Sequence, residues 1–202
     1  MTALSEYGKL DRVLVATDGS DYSAGAIRTG VALAKARGAR LIGLSIALYN
    51  PEYSTLVPNL GEEAEKRAQE ALQSFVAEAG PDAQTQTLEA SDPYLGILAG
   101  AREQQADLIV IGRRGKRGLA RMMVGDATAR VVGGAGCAVL VAPRAARLWE
   151  KQLLLATDGS PCSEAAAGAA GHLAKASKLP VAVVEERVMS VSCELRELRD
   201  AE

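Results

Sequence analysis

Leu14-Val15-Ala16-Thr17-Asp18-Gly19-Ser20 decides the reading of this chain, because Leu154-Leu155-Ala156-Thr157-Asp158-Gly159-Ser160 says nearly the same thing 140 positions later. Each is a short apolar strand that ends in an Asp-Gly-Ser turn and runs into an Ala-rich helical stretch. Both stretches reach one tetrapeptide, Leu33-Ala34-Lys35-Ala36 and Leu173-Ala174-Lys175-Ala176. This is a repeat on the scale of domains. The first copy has far more chain after it than the second, so the two are not equivalent. The expectation is a full domain over residues 1–143, a short basic linker over 144–151, and an incomplete second domain over 152–202.

Working outward from the first copy, strands and helices alternate. Arg12–Thr17 reads as a buried strand, and Asp21–Arg37 as a helix that starts near Ser20 or Asp21 and is stopped by Gly38. Leu41–Ala47 is a second strand. Tyr49–Leu60, with two prolines and no clear period, reads as a loop. Glu62–Ala79 is a charged amphipathic helix stopped by Gly80-Pro81, and Gln84–Glu89 suits a short edge strand. Asp92-Pro93 places a capping carboxylate before a proline at the first helical position, opening a helix to about Gln105. Asp107–Ile111 is strongly strand-like, Asp126–Val132 reads as a helix and Ala138–Ala142 as a strand. Such alternation implies right-handed crossovers and a mostly parallel sheet covered on both faces, a doubly wound α/β architecture. Ligands of such sheets bind beyond the carboxyl ends of the strands, where the strand order reverses. Two segments carry suitable chemistry there: Thr17-Asp18-Gly19-Ser20, and the loop from Gly112.

Composition excludes several partners. The chain has 202 residues, 48% of them apolar, which is ample for a packed core. One Trp, one Phe and five Tyr leave few stacking platforms for bases, and a net charge of −2 supplies no general attraction to nucleic acid. The longest apolar runs, such as Ala138–Ala142, are far short of the roughly 20 residues that span a bilayer, and without a charged stretch leading into an apolar one at its start no secretory leader is expected. No nucleic-acid or membrane partner is expected, and the expected location is the cytoplasm. Cys137, Cys162 and Cys193 are widely spaced and lack the spacing of zinc ligands or of a disulfide framework. Cys137, beside a strand, is expected to pack as a small hydrophobe.

The loop after the fourth strand runs Gly112-Arg113-Arg114-Gly115-Lys116-Arg117-Gly118-Leu119-Ala120-Arg121-Met122-Met123-Val124-Gly125-Asp126. Glycines let backbone amides approach a phosphate, and the helix opening near Asp126 adds unpaired amides and a positive dipole end. Five basic side chains add charge to match a polyphosphate. The loop is not a Walker A motif, since Gly-x4-Gly-Lys-Ser/Thr does not occur. The competing reading is a solvated loop whose arginines serve solubility.

In combination, Gly112-x2-Gly115-x9-Gly125 after the strand Leu108–Ile111, the Ala-Thr-Asp-Gly-Ser end of the first strand and the closing strand Cys137-Ala138-Val139-Leu140-Val141 resemble the universal stress protein family over about residues 9–143. Gln152–Val184 resembles the start of a second such domain. The resemblance implies a five-stranded parallel sheet in order 3-2-1-4-5, a homodimer formed through the last strand, and binding of ATP, AMP or ADP, with magnesium or manganese. It also implies a role in stress-response signalling or regulation. The nucleotide contacts implied are Ala16, Thr17, Asp18, Ile46, Gly112, Arg113, Gly115, Gly125, Asp126, Ala127 and Thr128, with Asp18 and Asp126 as metal ligands. Asp18 matches the family acid near the ribose and phosphates, and Ile46 an apolar residue beside the adenine.

Asp126 departs from the pattern, because nucleotide-binding members usually have Ser or Thr there. An ionised carboxylate accepts hydrogen bonds but donates none, so it faces phosphate with the wrong charge. Three readings stand open: Asp126 caps its helix or pairs with a loop arginine; it holds a cation that bridges the phosphates; or it marks a domain that does not bind nucleotide. The rival function is therefore a dimerisation or interaction module without nucleotide. A slow ATPase is a third, with Asp18, Asp21 and Asp126 as candidate water activators but no identifiable catalytic set. His172 is alone and carries no catalytic arrangement. The second copy holds strand, helix, strand and then a charged stretch, Glu185–Glu202, with no glycine loop. Two strands and one helix bury too little apolar surface to stand alone.

Overall fold

Parallel pairing is what the alternation of strands and helices demands, and the computed structural model has it throughout. The structure describes residues 10–49, 59–114 and 124–185. They fall into two units that divide after Leu148. The first unit runs β1 (Arg12–Ala16), α1 (Ala24–Arg37), β2 (Arg40–Leu48), α2 (Leu60–Ala79), β3 (Gln84–Ala90), α3 (Pro93–Glu103), β4 (Leu108–Gly112), α4 (Asp126–Gly134) and β5 (Ala138–Ala142). Its sheet has the order β3-β2-β1-β4-β5, as the resemblance implies.

The period of two along the central strands sends alternate side chains to opposite faces. Leu14 and Ala16 join Ile42, Leu44, Ile109 and Ile111 under Ile97 and Ala101 of α3 and Val131 of α4. On the other face the Phe75 ring of α2 lies against Gly43, and α1 approaches Val15 and Val110 at Gly30. Val13, Leu14, Val15, Ile109 and Val110 are wholly buried, each contributing roughly 1.5–3 kcal/mol. At the amino end of the sheet the Asp107 carboxylate accepts the Asp11 and Arg12 amides at 3.1 and 2.9 Å, pinning β1 beside β4. Cys137 packs against the α3–α4 core, and burial pushes its thiol pKa up, helped by the charge of Asp107.

Three boundaries differ from the sequence pattern for physical reasons. The first helix begins at Ala24 rather than near Asp21, because Ser23 donates its amide and hydroxyl to Ser20 O at 3.0 and 2.7 Å and closes a turn first. The second begins at Leu60, within the stretch read as loop, after Asn59 in a left-handed conformation. The basic stretch read as linker starts as part of the first unit: Ala146 N donates to Pro143 O at 2.8 Å, and Arg28 of α1 donates to Arg144 O at 2.6 Å.

The second unit contains β6 (Leu153–Thr157), α5 (Pro161–Ser177) and β7 (Val181–Glu185), a strand pair with one helix. Leu154 and Val183 are 67% and 61% exposed, as expected where a sheet has few neighbours to cover it. Where Gly38 ends α1 at φ 63°, Lys178 takes φ 56° after α5, a left-handed conformation that costs a side-chain-bearing residue roughly 1–2 kcal/mol. Among the described residues no helix is long and apolar enough to cross a membrane.

Candidate functional site

Strand order reverses between β1 and β4, whose carboxyl ends lie side by side, Ala16 at the end of β1 pairing with Ile111 one residue before the end of β4. The predicted segments therefore leave adjacent strand ends. Past β1, Thr17 is buried, and its hydroxyl lies 2.9 Å from Ser23 Oγ and accepts the Gly19 amide at 3.1 Å. The half-buried Asp18 accepts the Ser20 amide at 3.0 Å and also its hydroxyl. Past β4, a Cβ on Gly112 would stand 2.9 Å from Tyr22 O, so only glycine lets the end of this strand lie against the turn before α1.

The first turn of α4 is fastened to that strand end. Thr128 Oγ1, buried, donates to Gly112 O at 2.9 Å, and Gly125 N donates to Arg113 O at 2.9 Å. Arg113 N in turn donates to Ala142 O of β5 at 3.1 Å. Gly125 is the N-cap, without a side-chain capping bond, and its carbonyl accepts the first helical bond from Ala129 N. Helix geometry leaves the amides of Asp126, Ala127 and Thr128 without intrahelical acceptors. Gly125 has φ −65°, and a Cβ there would meet Arg114 Cα at an ordinary 3.4 Å, so the local backbone does not require glycine.

Asp126 is the first helical residue, not the cap, and its side chain is 88% exposed. Its carboxylate comes within 3.9 Å of Arg130, a residue of its own helix. Arg130 is held closer by Asp92, at 2.8 Å, and stacks 3.7 Å from the Tyr94 ring centre. Side-chain capping by Asp126 is thus not realised. Ile46 lies on β2 beyond the level of Ala16, which pairs with Leu44, and its side chain packs under Gly96 of α3. Among the described residues no three His, Cys, Asp or Glu side chains converge in a metal-binding group. Gly115, Lys116, Arg117, Arg121, Met122 and Met123 lie outside the described residues.

Two residues absent from the sequence reading stand at this end of the sheet. Tyr22 and Arg144 line a cavity of ≈ 310 Å³ together with Arg113 and Arg114. Neither belongs to a motif, because the fold brings a turn before α1 and the segment after β5 together over more than a hundred residues. The Asp21–Arg144 pair, at 2.7 Å, marks that contact.

The family model described as Universal stress protein family matches residues 9–143, which span this whole sheet. The chain belongs to the universal stress protein family. A universal stress protein of Thermus aquaticus is 36% identical over 133 residues, covering 64% of this chain and 96% of its own length. The solved universal stress protein UspA of Lactobacillus plantarum is 26% identical, with a TM-score of 0.56, and covers 66% of this chain and 98% of that one. A universal stress protein of Archaeoglobus fulgidus DSM 4304 shares the fold at 16% identity, with a TM-score of 0.64 over 95% of this chain and 73% of that one.

The same turn recurs in the second unit, outside the residues matched by the universal stress protein family model. Thr157 Oγ1 donates to Ser163 Oγ at 2.9 Å, Gly159 N to Thr157 Oγ1 at 3.2 Å and Ser160 N to Asp158 Oδ1 at 3.0 Å, bond for bond the pattern of the first copy. Hydrogen bonds from the Ser160 hydroxyl, then from the Ser160 amide and the Ser163 hydroxyl, hold the pKa of the Asp158 carboxyl down to about 2. No glycine loop follows this second turn. The Thr-Asp-Gly-Ser turn is therefore a local device, and the candidate site is made by adding β4 and the start of α4 to it.

Proposed function

We propose that the first unit binds an adenine nucleotide at the carboxyl ends of β1 and β4, and that this binding serves stress-response regulation in the cytoplasm. The reading is carried by one observation: the start of α4 is fastened to the end of β4 through Thr128 and Gly125. A helix start fixed beside a strand-order reversal offers amides and a positive dipole end to a phosphate. Asp18 supplies the acid for a ribose or a nucleotide-borne magnesium, and Arg113 a cation for the phosphates. ATP is the nucleotide proposed, and a homodimer through the outer edge of β5 the assembly, since an apolar edge strand is protected by pairing. No described residues form a catalytic set, so binding, not hydrolysis, is the proposed activity.

Mass spectrometry of the freshly purified chain, denatured to release what it carries, tests this. Adenine nucleotide in stoichiometric amount is expected. Absence of nucleotide, together with no calorimetric signal at millimolar ATP, overturns the reading. A second reading, an interaction module without nucleotide, is favoured by Asp126, whose exposed charge stands at the first turn of α4, where a phosphate would approach.

A further inference from the structure

One charged cluster ties the start of α3 to α4. Asp92, the N-cap of α3, uses both of its carboxylate oxygens: Oδ1 accepts the Tyr94 amide at 3.2 Å, and Oδ2 accepts Arg130 Nη1 of α4 at 2.8 Å. The guanidinium also lies over the Tyr94 ring, 3.7 Å from its centre. The same nitrogen, Nη1, stands 3.9 Å from Asp126 Oδ2, so carboxylates from two separate parts of the chain converge on it. An acid 88% exposed and four residues from its partner gains little from an ordinary pair, because two long side chains must be held still. Here the arginine is held already, by a carboxylate and a ring of the neighbouring helix, and its charge stays beside Asp126 without further ordering.

Residues four apart share one face of a helix, and residues two apart point nearly opposite ways. Asp126 and Arg130 are therefore on one side of α4, and Thr128 on the other, where its hydroxyl meets Gly112 O at the end of β4. The carboxylate that departs from the family pattern stands on the side turned away from that strand end, next to a fixed cation. We infer that Arg130 is a positioning residue of the nucleotide site, which holds the Asp126 carboxylate on the α3 side of α4 and balances its charge, so that an anion can approach the amides of the first turn. The inference rests on the proposed nucleotide site, and it requires no contact between Arg130 and the ligand. Without the guanidinium, Asp92 and Asp126 are two uncompensated like charges near one turn, and together they repel an anion. In Asp126→Ser there is no carboxylate to hold, and Arg130 loses this role.

ATP titrations by calorimetry of the full chain, of Arg130→Gln, of Asp126→Ser and of the double variant test it. The Arg130 side chain is 45% exposed, and a urea titration of each variant checks that it is folded. Arg130→Gln is expected to weaken ATP binding about fivefold in the parent chain, the upper range of an exposed charge pair, and less than about twofold in the Asp126→Ser background. Arg130→Lys, which keeps a cation but not the planar stack over Tyr94, is expected to show the same dependence on Asp126 with a smaller loss, about threefold in the parent. Equal losses in the two backgrounds mean that Arg130 anchors α4 or draws the ligand by its own charge; they overturn the inference and leave the nucleotide reading standing. A loss below twofold in both backgrounds, or full ATP affinity in Arg130→Lys, does the same. ATP binding by none of these proteins overturns both.

Discussion

Asp126 and Asp158 are both acids near the start of a helix, and their surroundings set them different tasks. Asp126 stands in the first turn of α4, where a carboxylate favours the dipole of an empty helix and opposes an incoming phosphate. Replacing it with Ser turns a repelling acceptor into a donor. Asp126→Ser is expected to strengthen ATP binding by roughly 1.5–3 kcal/mol, about tenfold or more. Calorimetry with and without magnesium checks it. Weaker binding confined to the magnesium titration would mean that Asp126 holds the cation instead. Asp158 makes its bonds within its own turn, which lower its pKa from 3.8 to about 2. A carboxyl depressed in the folded state contributes stability that is complete above its unfolded value and lost as pH falls through its folded one. The turn is thus expected to keep its bonds at pH 3 and to lose them near pH 2. An NMR titration of the Asp158 carboxyl carbon reads this directly, and Ser160→Ala should move the midpoint back towards 3.8.

Among the elements, α4 is the one whose placement decides whether a site exists. Thr128 carries that placement, since its buried hydroxyl is bonded to Gly112 O across sixteen residues. Thr128→Val keeps the shape and removes the donor, leaving a buried carbonyl unpaired. A loss of about 1–3 kcal/mol in unfolding free energy is expected by urea titration, with weaker ATP binding, and Thr128→Ser should restore both. The alternation of elements was legible in the sequence because the apolar periods are strong and Gly38, Gly80 and Asp92-Pro93 punctuate them, whereas the strand order followed only from the family resemblance. The positions of Gly112, Gly125 and Asp126 were legible as a spacing. What the spacing left hidden was which groups are already engaged: the hydroxyls of Thr17 and Thr128 serve the turn and the strand end. Arg144 was hidden for another reason. It reads as part of a basic linker until the sheet closes and α1 captures the segment behind β5.

On the scale of the molecule the two copies differ in how many neighbours they have. Val13–Ala16 lies between β2 and β4 with helices over both faces, whereas β6 pairs with β7 and leaves Leu154 two-thirds exposed. Amides of Leu153–Ala156 are expected to exchange with solvent deuterium much faster than those of Val13–Ala16. Equal protection would show that the second unit is supported as fully as the first. The duplicated strand and turn also bear on how the chain reaches its fold. β6 and α5 present nearly the same apolar face and the same turn as β1 and α1, so the slot beside β4 has two claimants in one polypeptide. A chain that seats the wrong one is mis-threaded and must back out before the sheet can close. Refolding from urea is therefore expected to show a slow phase that disappears when the chain is ended at Leu148. Identical refolding traces for the two lengths would mean that β1 wins its place too early to be contested.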